Sequence, residues 1–297
     1  MLQRQRGMAL LVILLIIAMM TLLIATSTQY ARQALTLTDS SQAMLQVKWD
    51  LLGAERWFLA TQPLDRPADV VHQRQFGSQP LRFALRDRQA CFNLNALLPQ
   101  SAPDAEGRVT PSVARQVFLH MLENLDLPAA QANTLMQQMI AVGKPDPGVN
   151  QWRLFDEISQ LRVLPAVTPD LWRRLQPLLC VTPETRLAIN VNGLKPEQMP
   201  LFSALFAGQL SSFQLREMLA ARPAAGWVDS GEMVKNISHQ ALEPALPTLQ
   251  SIVVTHSRYF ELLIRGDHPT IFSALRSRVE RQDSGYRVSA RLYGLSE

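Results

Sequence analysis

The chain has 297 residues, 47% of them hydrophobic and 18% charged, which allows a sizeable core in more than one folding unit and excludes a disordered chain. The formal net charge is +4, but Arg4 and Arg6 lie in a short leader, so the remaining body is close to neutral. A near-neutral body is a poor electrostatic match to a phosphate backbone, and no nucleic-acid partner is expected.

Residues 1–7 form a polar, basic leader. Residues 8–25 read MALLVILLIIAMMTLLIA, with Thr21 the only polar side chain and no charge between Arg6 and Arg32. A run of that length can cross a hydrocarbon core of roughly 30 Å. It exceeds the apolar region of about 7–15 residues in an ordinary cleaved secretory signal, which leaves an uncleaved anchor or a break before the run. Arg4 and Arg6 keep the leader on the cytoplasmic side and send the rest outward. Arg6-Gly7 before Met8, with the apolar run starting at once, resembles the prepilin peptidase site of type IV pilins and type II secretion pseudopilins. The resemblance implies cleavage between Gly7 and Met8 by prepilin peptidase, N-methylation of Met8, and a helix left anchored in inner-membrane lipid. It makes Val12 the fifth mature position, where those families carry a glutamate that neutralises a neighbour's amino terminus. A subunit without that carboxylate has nothing to offer a predecessor in a filament.

Further along, Met44, Val47, Leu51, Ala54 and Phe58 are spaced as one face of a helix. Lys48, Asp50, Glu55 and Arg56 are expected on its wetted side, and Pro63 ends it. Leu81, Phe83 and Leu85 alternate with Arg82, Ala84 and Arg86, the period of a half-buried strand, and 90–94 reads as a second strand. The pattern is then lost until 259–265, 273–280 and 286–293. Strands at both ends with helices between predict one sheet interrupted by an inserted domain. Within the insert, helices are expected over 111–124, 129–141 and 169–179. A block from 189, INVNGLKPEQMPLFSALF, resembles a helix-hairpin-helix or SAM-like unit. Residues 153–179 read as a degenerate first copy, FDEISQLRVL echoing WVDSGEMV. Such hairpins bind DNA phosphates in some proteins, but only Lys195 lies near Asn192-Gly193, so packing modules are the preferred reading.

Several stretches together resemble the type II secretion system protein K family of large minor pseudopilins: the RGMALLVILLIIAMMTLL start, LRDRQACFNLNALL at 85–98, LRVLPAVTPDLWRRLQPLLCVTP at 161–183, INVNGLKPEQMPLF at 189–202 and SRYFELL at 257–263. The missing acidic fifth position belongs to that pattern too. The resemblance implies an α+β fold: a type IV pilin-like long N-terminal helix packed on a small antiparallel sheet, with a large inserted all-α (SAM-like or helix-hairpin-helix) domain. The expected divisions are leader 1–7, transmembrane helix 8–31, amphipathic continuation 32–62, first part of the sheet 63–95, helical insert 96–245 and second part of the sheet 246–297. The implied function is structural: capping and helping to initiate the pseudopilus tip for export of folded proteins across the outer membrane. The implied partners are minor pseudopilins I and J in a tip complex, with minor pseudopilin H and major pseudopilin G below. The chain is then a single-pass protein of a bacterial inner membrane, its C-terminal body in the periplasm. In a cytosolic chain Cys91 and Cys180 would read as buried thiols; in the oxidising periplasm they are expected to form a bridge tying sheet to insert.

Catalytic signals are sparse. There is no G-x-S-x-G, H-E-x-x-H, P-loop or G-x-G-x-x-G, the five histidines are scattered, and Ser230 beside Asp229 and Glu232 reads as a turn or helix cap. No enzyme activity and no required cofactor are expected; a DNA-binding uptake subunit and a membrane-tethered periplasmic hydrolase are the alternatives. Family resemblance raises calcium, which a relative binds through acidic loop residues. The matching stretch keeps Asp146, Asn150, Asp156 and Glu157. That set is thin for an ion wanting six to eight oxygen ligands, so a solvated loop is preferred and calcium is the alternative.

Overall fold

The computed structural model describes residues 3–61, 72–77, 79–98, 112–145, 151–235, 246–266, 273–283 and 285–294. One helix, α1 (Gln3–Thr61), runs unbroken from the leader into the body. Its N-terminal part is long and apolar enough to cross a membrane, with a mean hydropathy of 3.1 in its most apolar stretch and nothing covering it. The hydroxyls of Thr21, Thr26, Thr28, Thr36 and Thr38 all donate back to carbonyls one turn earlier, which satisfies these polar groups within the helix itself. Pro63 lies outside the described residues.

After α1 come β1 (His72–Phe76) and β2 (Gln79–Asp87). The chain then enters a helical body: β3 (Phe92–Asn93), α2 (Val113–Glu123), α3 (Ala129–Gly143), α4 (Pro169–Leu175), β4 (Leu179–Cys180), β5 (Ile189–Asn190), α5 (Met199–Leu205), α6 (Ser212–Ala220), α7 (Ser230–Val234), α8 (Leu246–Ile252) and β6 (Val253–Val254). It returns as β7 (Tyr259–Gly266), β8 (Ser273–Gln282) and β9 (Gly285–Tyr293). The five long strands form one antiparallel sheet in the order β1-β2-β7-β8-β9. The interrupted sheet matches the expectation, with β1 as an additional polar edge strand.

Two apolar cores divide the molecule. Val47, Leu51, Ala54 and Phe58 of α1 close one face of the sheet over Phe83 and Ile264, and Phe58 stacks on Phe83 with ring centroids 5.4 Å apart. The second core fills the helical body and runs from Ala90 to Ile252. The cores thus part between Leu85 and Ala90 and between Ile252 and Phe260, so residues 90–95 and 246–254 pack with the helical body. The second strand expected over 90–94 is a two-residue β3 outside the main sheet. The Asn93 side chain accepts from Asn95 N–H and turns the chain into a short 3-10 helix, Leu94–Leu97. Helix α4 stops at Leu175, short of the expected 179, because Pro177 cannot continue it.

The helical body is a repeat, and its first copy begins much earlier than the sequence suggested. In each copy the opening strand pairs in parallel with the closing one: Phe92 with Leu179 and Asn93 with Cys180, then Ile189 with Val253 and Asn190 with Val254. Asn95 donates to the carbonyls of Phe155 and Thr182 and accepts from Phe155 N–H. Asn192 does the same with Trp227 and Thr255. The first helices of the copies, α2 and α5, pack on each other.

Candidate functional site

The N-terminal residues come first. Gly7 lies within α1, and Met8 and Val12 are 68% and 53% exposed. No carboxylate stands at position 12.

Higher on α1, Glu55 departs from its expected wetted position and is 1% exposed. It sits one turn after Leu51, on the flank of the buried stripe that faces β9. Arg291 of β9 grips both carboxylate oxygens, with N–O distances of 2.7 to 3.1 Å, and the Ser277 hydroxyl of β8 donates to the same group. The bond to Glu55 holds the Arg291 guanidinium above its ordinary pKa, against the opposing effect of burial. Met44 departs the other way: expected on the buried stripe, it is 65% exposed, because the sheet covers α1 only from Val47 upward.

A second polar cluster occupies the seam where sheet and helical body join. The Asp87 carboxylate, at the end of β2, accepts from the amides of Gln89 and Ala90, the Ser257 hydroxyl at 2.6 Å and Asn190 Nδ2 at 2.8 Å. Burial pushes its pKa up, and the four hydrogen bonds oppose that. Arg88 bridges the seam, donating to Glu261 of β7 at 2.9 Å and to the Val181 carbonyl at 2.9 Å; burial lowers its pKa, with Glu261 opposing. The Tyr259 hydroxyl donates to Glu184 at 2.9 Å, and burial with that bond pushes the phenol up to about 12. A Cβ at Gly193 would meet Asp87 Oδ2 at 2.6 Å and Ala90 Cβ at 2.7 Å. Gly193 therefore lets the chain pack closely against the seam.

Cys91 and Cys180 are paired, their Cα atoms 5.7 Å apart. Both belong to the first copy of the helical body, so the pair links that copy's opening and closing strands and does not tie sheet to insert. Asp146 and Asn150 lie outside the described residues. Glu157 is engaged by Arg278 and lies 3.7 Å from Arg276, and the Asp156 carbonyl accepts from Arg278. Among the described residues no group of three or more His, Cys, Asp and Glu side chains is arranged to hold a metal ion. The helix cap falls on Asp229, whose Oδ1 accepts from Glu232 N–H at 2.7 Å, while Ser230, read as the cap from the sequence, is the first residue of α7.

Sequence reasoning missed Glu55 and the Asp87 hub. The partner that buries Glu55 lies 236 residues on and the hub joins residues 170 apart in sequence, so neither has a local signal.

Comparisons with known proteins agree with this architecture. The family described as "Type II secretion system (T2SS), protein K" matches in two segments, 90–184 and 189–255, which coincide with the two copies. The type II secretion system protein K of Klebsiella pneumoniae is 30% identical over 322 residues, covering 98% of this chain and 97% of that one. That of Pectobacterium carotovorum subsp. carotovorum is 30% identical, covering 96% and 98%. Among solved structures, a chain of the GspK-GspI-GspJ complex from enterotoxigenic Escherichia coli has a similar fold, with a TM-score of 0.68 at 23% identity, covering 87% of this chain and 99% of that one.

Proposed function

The chain belongs to the type II secretion system protein K family, and from that premise we propose that it is the minor pseudopilin that caps the periplasmic pseudopilus tip and helps to start it, for export of folded proteins across the outer membrane. The observation that carries this reading is where the helical body attaches. The chain leaves the sheet at Asp87 and returns at Tyr259, the strand ends farthest from the edge where Tyr293 meets Lys48 on the lower part of α1. A body of that bulk standing on the sheet's far end occupies the space a subunit stacked above would need. Val12 supports the same polarity, since a subunit with no neighbour above has no amino terminus to neutralise there.

In this reading α1 on its antiparallel sheet is a pilin-like scaffold and the two copies are SAM-like packing modules. Prepilin peptidase removes residues 1–7, Met8 becomes the methylated amino terminus, and the body lies in the periplasm. Minor pseudopilins I and J join it in the tip complex, as the GspK-GspI-GspJ relative suggests, with H and the major pseudopilin G below. The test is to isolate the tagged full-length chain in detergent from cells that also make I, J, H and G. It should bring down I and J together and lack residues 1–7, and Gly7→Val should retain them. A chain recovered free of I and J, while those two still pair, would overturn the tip assignment.

A further inference from the structure

On the sheet face turned away from α1, arginines gather around too few carboxylates. Leu85, Phe260, Leu262 and Val279 pack toward α1, so the alternation of the strands sends Arg86, Glu261 and Arg278 to the other side. Register sets Arg86 of β2 opposite Glu261 of β7, and Glu261 opposite Arg278 of β8. Arg88 and Arg276 reach the same place. Two carboxylates answer these four guanidinium groups: Glu261, and Glu157 brought down from the helical body. Asp156 engages Arg278 through its backbone carbonyl, and Glu280, next along β8, is taken by Arg258 and Arg287. The patch thus carries an excess of two positive charges. It is also largely shut off from water, with the Arg88, Arg276 and Arg278 side chains 14%, 15% and 25% exposed.

Hydrogen bonding within the patch is incomplete. Arg88 is satisfied by Glu261 and the Val181 carbonyl. Arg276 makes no hydrogen bond to the described residues: Glu157 and Glu261 stand 3.7 and 4.0 Å from its nitrogens, and its Nε is buried without a partner. Arg278 spends a single nitrogen on both Glu157 and the Asp156 carbonyl, and its Nε too is buried without a partner. A guanidinium offers five donors in a fixed fork that fits two oxygens of one oxyanion, and donors left unmade under burial are costly. The crowding of like charge reaches Arg88, whose pKa is lowered first by burial and then by Arg278 and Arg276, against Glu261 and Glu157. Arg86 comes no nearer than 3.9 Å to Glu261 and is more than half exposed, so its side of the patch opens to solvent.

We propose that this patch binds a tetrahedral oxyanion, inorganic phosphate or sulfate, held by Arg276 and Arg278 with Arg86 at its open side. A dianion of that class matches the excess charge, and its oxygens supply the acceptors that the guanidinium forks lack. A single side-chain carboxylate fits less well, bringing one charge and two oxygens. Because Glu157 belongs to the helical body and Arg276 and Arg278 to the sheet, the ion ties the two together at a point separate from Asp87. The site lies within one chain and stands or falls apart from the tip assignment.

The experiment takes the full-length chain in non-ionic micelles, in chloride buffer free of phosphate and sulfate, and titrates in sodium phosphate or sodium sulfate at constant ionic strength. Hydrogen exchange is read over 155–158 and 259–263. A ligand that must leave before these segments open slows their exchange about elevenfold at ten times its dissociation constant. Saturable slowing toward that level is expected, and protection by one ion alone identifies it. Arg276→Gln should raise the midpoint about tenfold, and Arg86→Gln, a change on the exposed side that leaves folding intact, about threefold. In chloride alone Arg276→Gln should be protected as well as wild type or better, because an uncompensated charge is gone; an arginine with a purely structural role would lose protection there. That loss overturns the proposal, as does an equal response to added chloride or a midpoint unmoved in both variants. Phosphate and sulfate without effect, with protection by hexaglutamate instead, also overturns it and makes the patch a protein-docking surface.

Discussion

Removing one partner of the Glu55–Arg291 pair should be far worse from the exposed side than from the buried one. Arg291→Ala strands a carboxylate that is 1% exposed, with only the Ser277 hydroxyl left to solvate it. Breaking a buried pair in this way costs about 3–5 kcal/mol; the Arg291 side chain is 40% exposed, so the lower end, about 3 kcal/mol, applies. Glu55→Gln leaves the guanidinium able to turn into water and keeps a hydrogen-bonding group beside Ser277, a loss of about 1.5 kcal/mol. Combining the two changes removes the stranded charge, so Arg291→Ala/Glu55→Gln should be more stable than Arg291→Ala alone by about 1–2 kcal/mol. Hydrogen exchange of the α1 amides over 44–61, with full-length protein in micelles, reads the docking of helix on sheet separately from the helical body. Arg291→Ala should lower protection there by about a hundredfold and Glu55→Gln by about tenfold. If the double variant is no better protected than Arg291→Ala, the buried charge is not what makes that position costly.

The seam, the repeat and the cysteines give three more tests. Burial raises the Asp87 pKa above the unfolded value of about 3.9, so the folded state holds the extra proton and stability falls as pH rises from there through the folded value; Asp87→Asn should flatten that slope, and parallel curves for the two proteins between about pH 4 and 7 would refute it. Asn95 is fully buried and Asn192 half-buried, so Asn95→Ala, which orphans three backbone groups, should cost about 3 kcal/mol and Asn192→Ala about half that; equal falls in Tm would contradict the ranking. The Cys91–Cys180 bridge closes a separation of 89 residues, worth about 4.5 kcal/mol in the chain-entropy picture; non-reducing mass spectrometry should find the linked peptides, and two alkylatable thiols in periplasmic protein would count against it.

What was legible in the sequence was local and periodic. The apolar run from Met8, the alternation at Leu81 to Leu85 and the four-residue steps from Val113 each depend on a repeat of one element, and each lies where its period put it. What was not legible depends on contacts between distant segments. Glu55 reads as a surface charge until β9 brings Arg291 to it, 236 residues later. Residues 90–94 carry a strand-like composition, yet Phe92 pairs with Leu179 outside the main sheet. Met44 fits the apolar stripe, but stripe spacing says nothing about where the covering sheet stops.

The two copies of the helical body also show how one device comes to do two jobs. Asn93 and Asn190 stand at the same place, each capping the turn after its opening strand. Asn93 spends its amide inside its own copy, donating to the Glu184 carbonyl. Asn190 points the same amide outward, to Asp87 at 2.8 Å and Ser257 at 2.9 Å, so the cap of the second copy becomes the clasp that holds the body to the sheet. Arg88 then spans from Glu261 of the sheet to Val181 at the close of the first copy. A helical body carried at the end of two chain crossings would hinge there if only the covalent chain held it. With one polar clasp from each copy and Gly193 pressed against Asp87, the crossing is locked at three points.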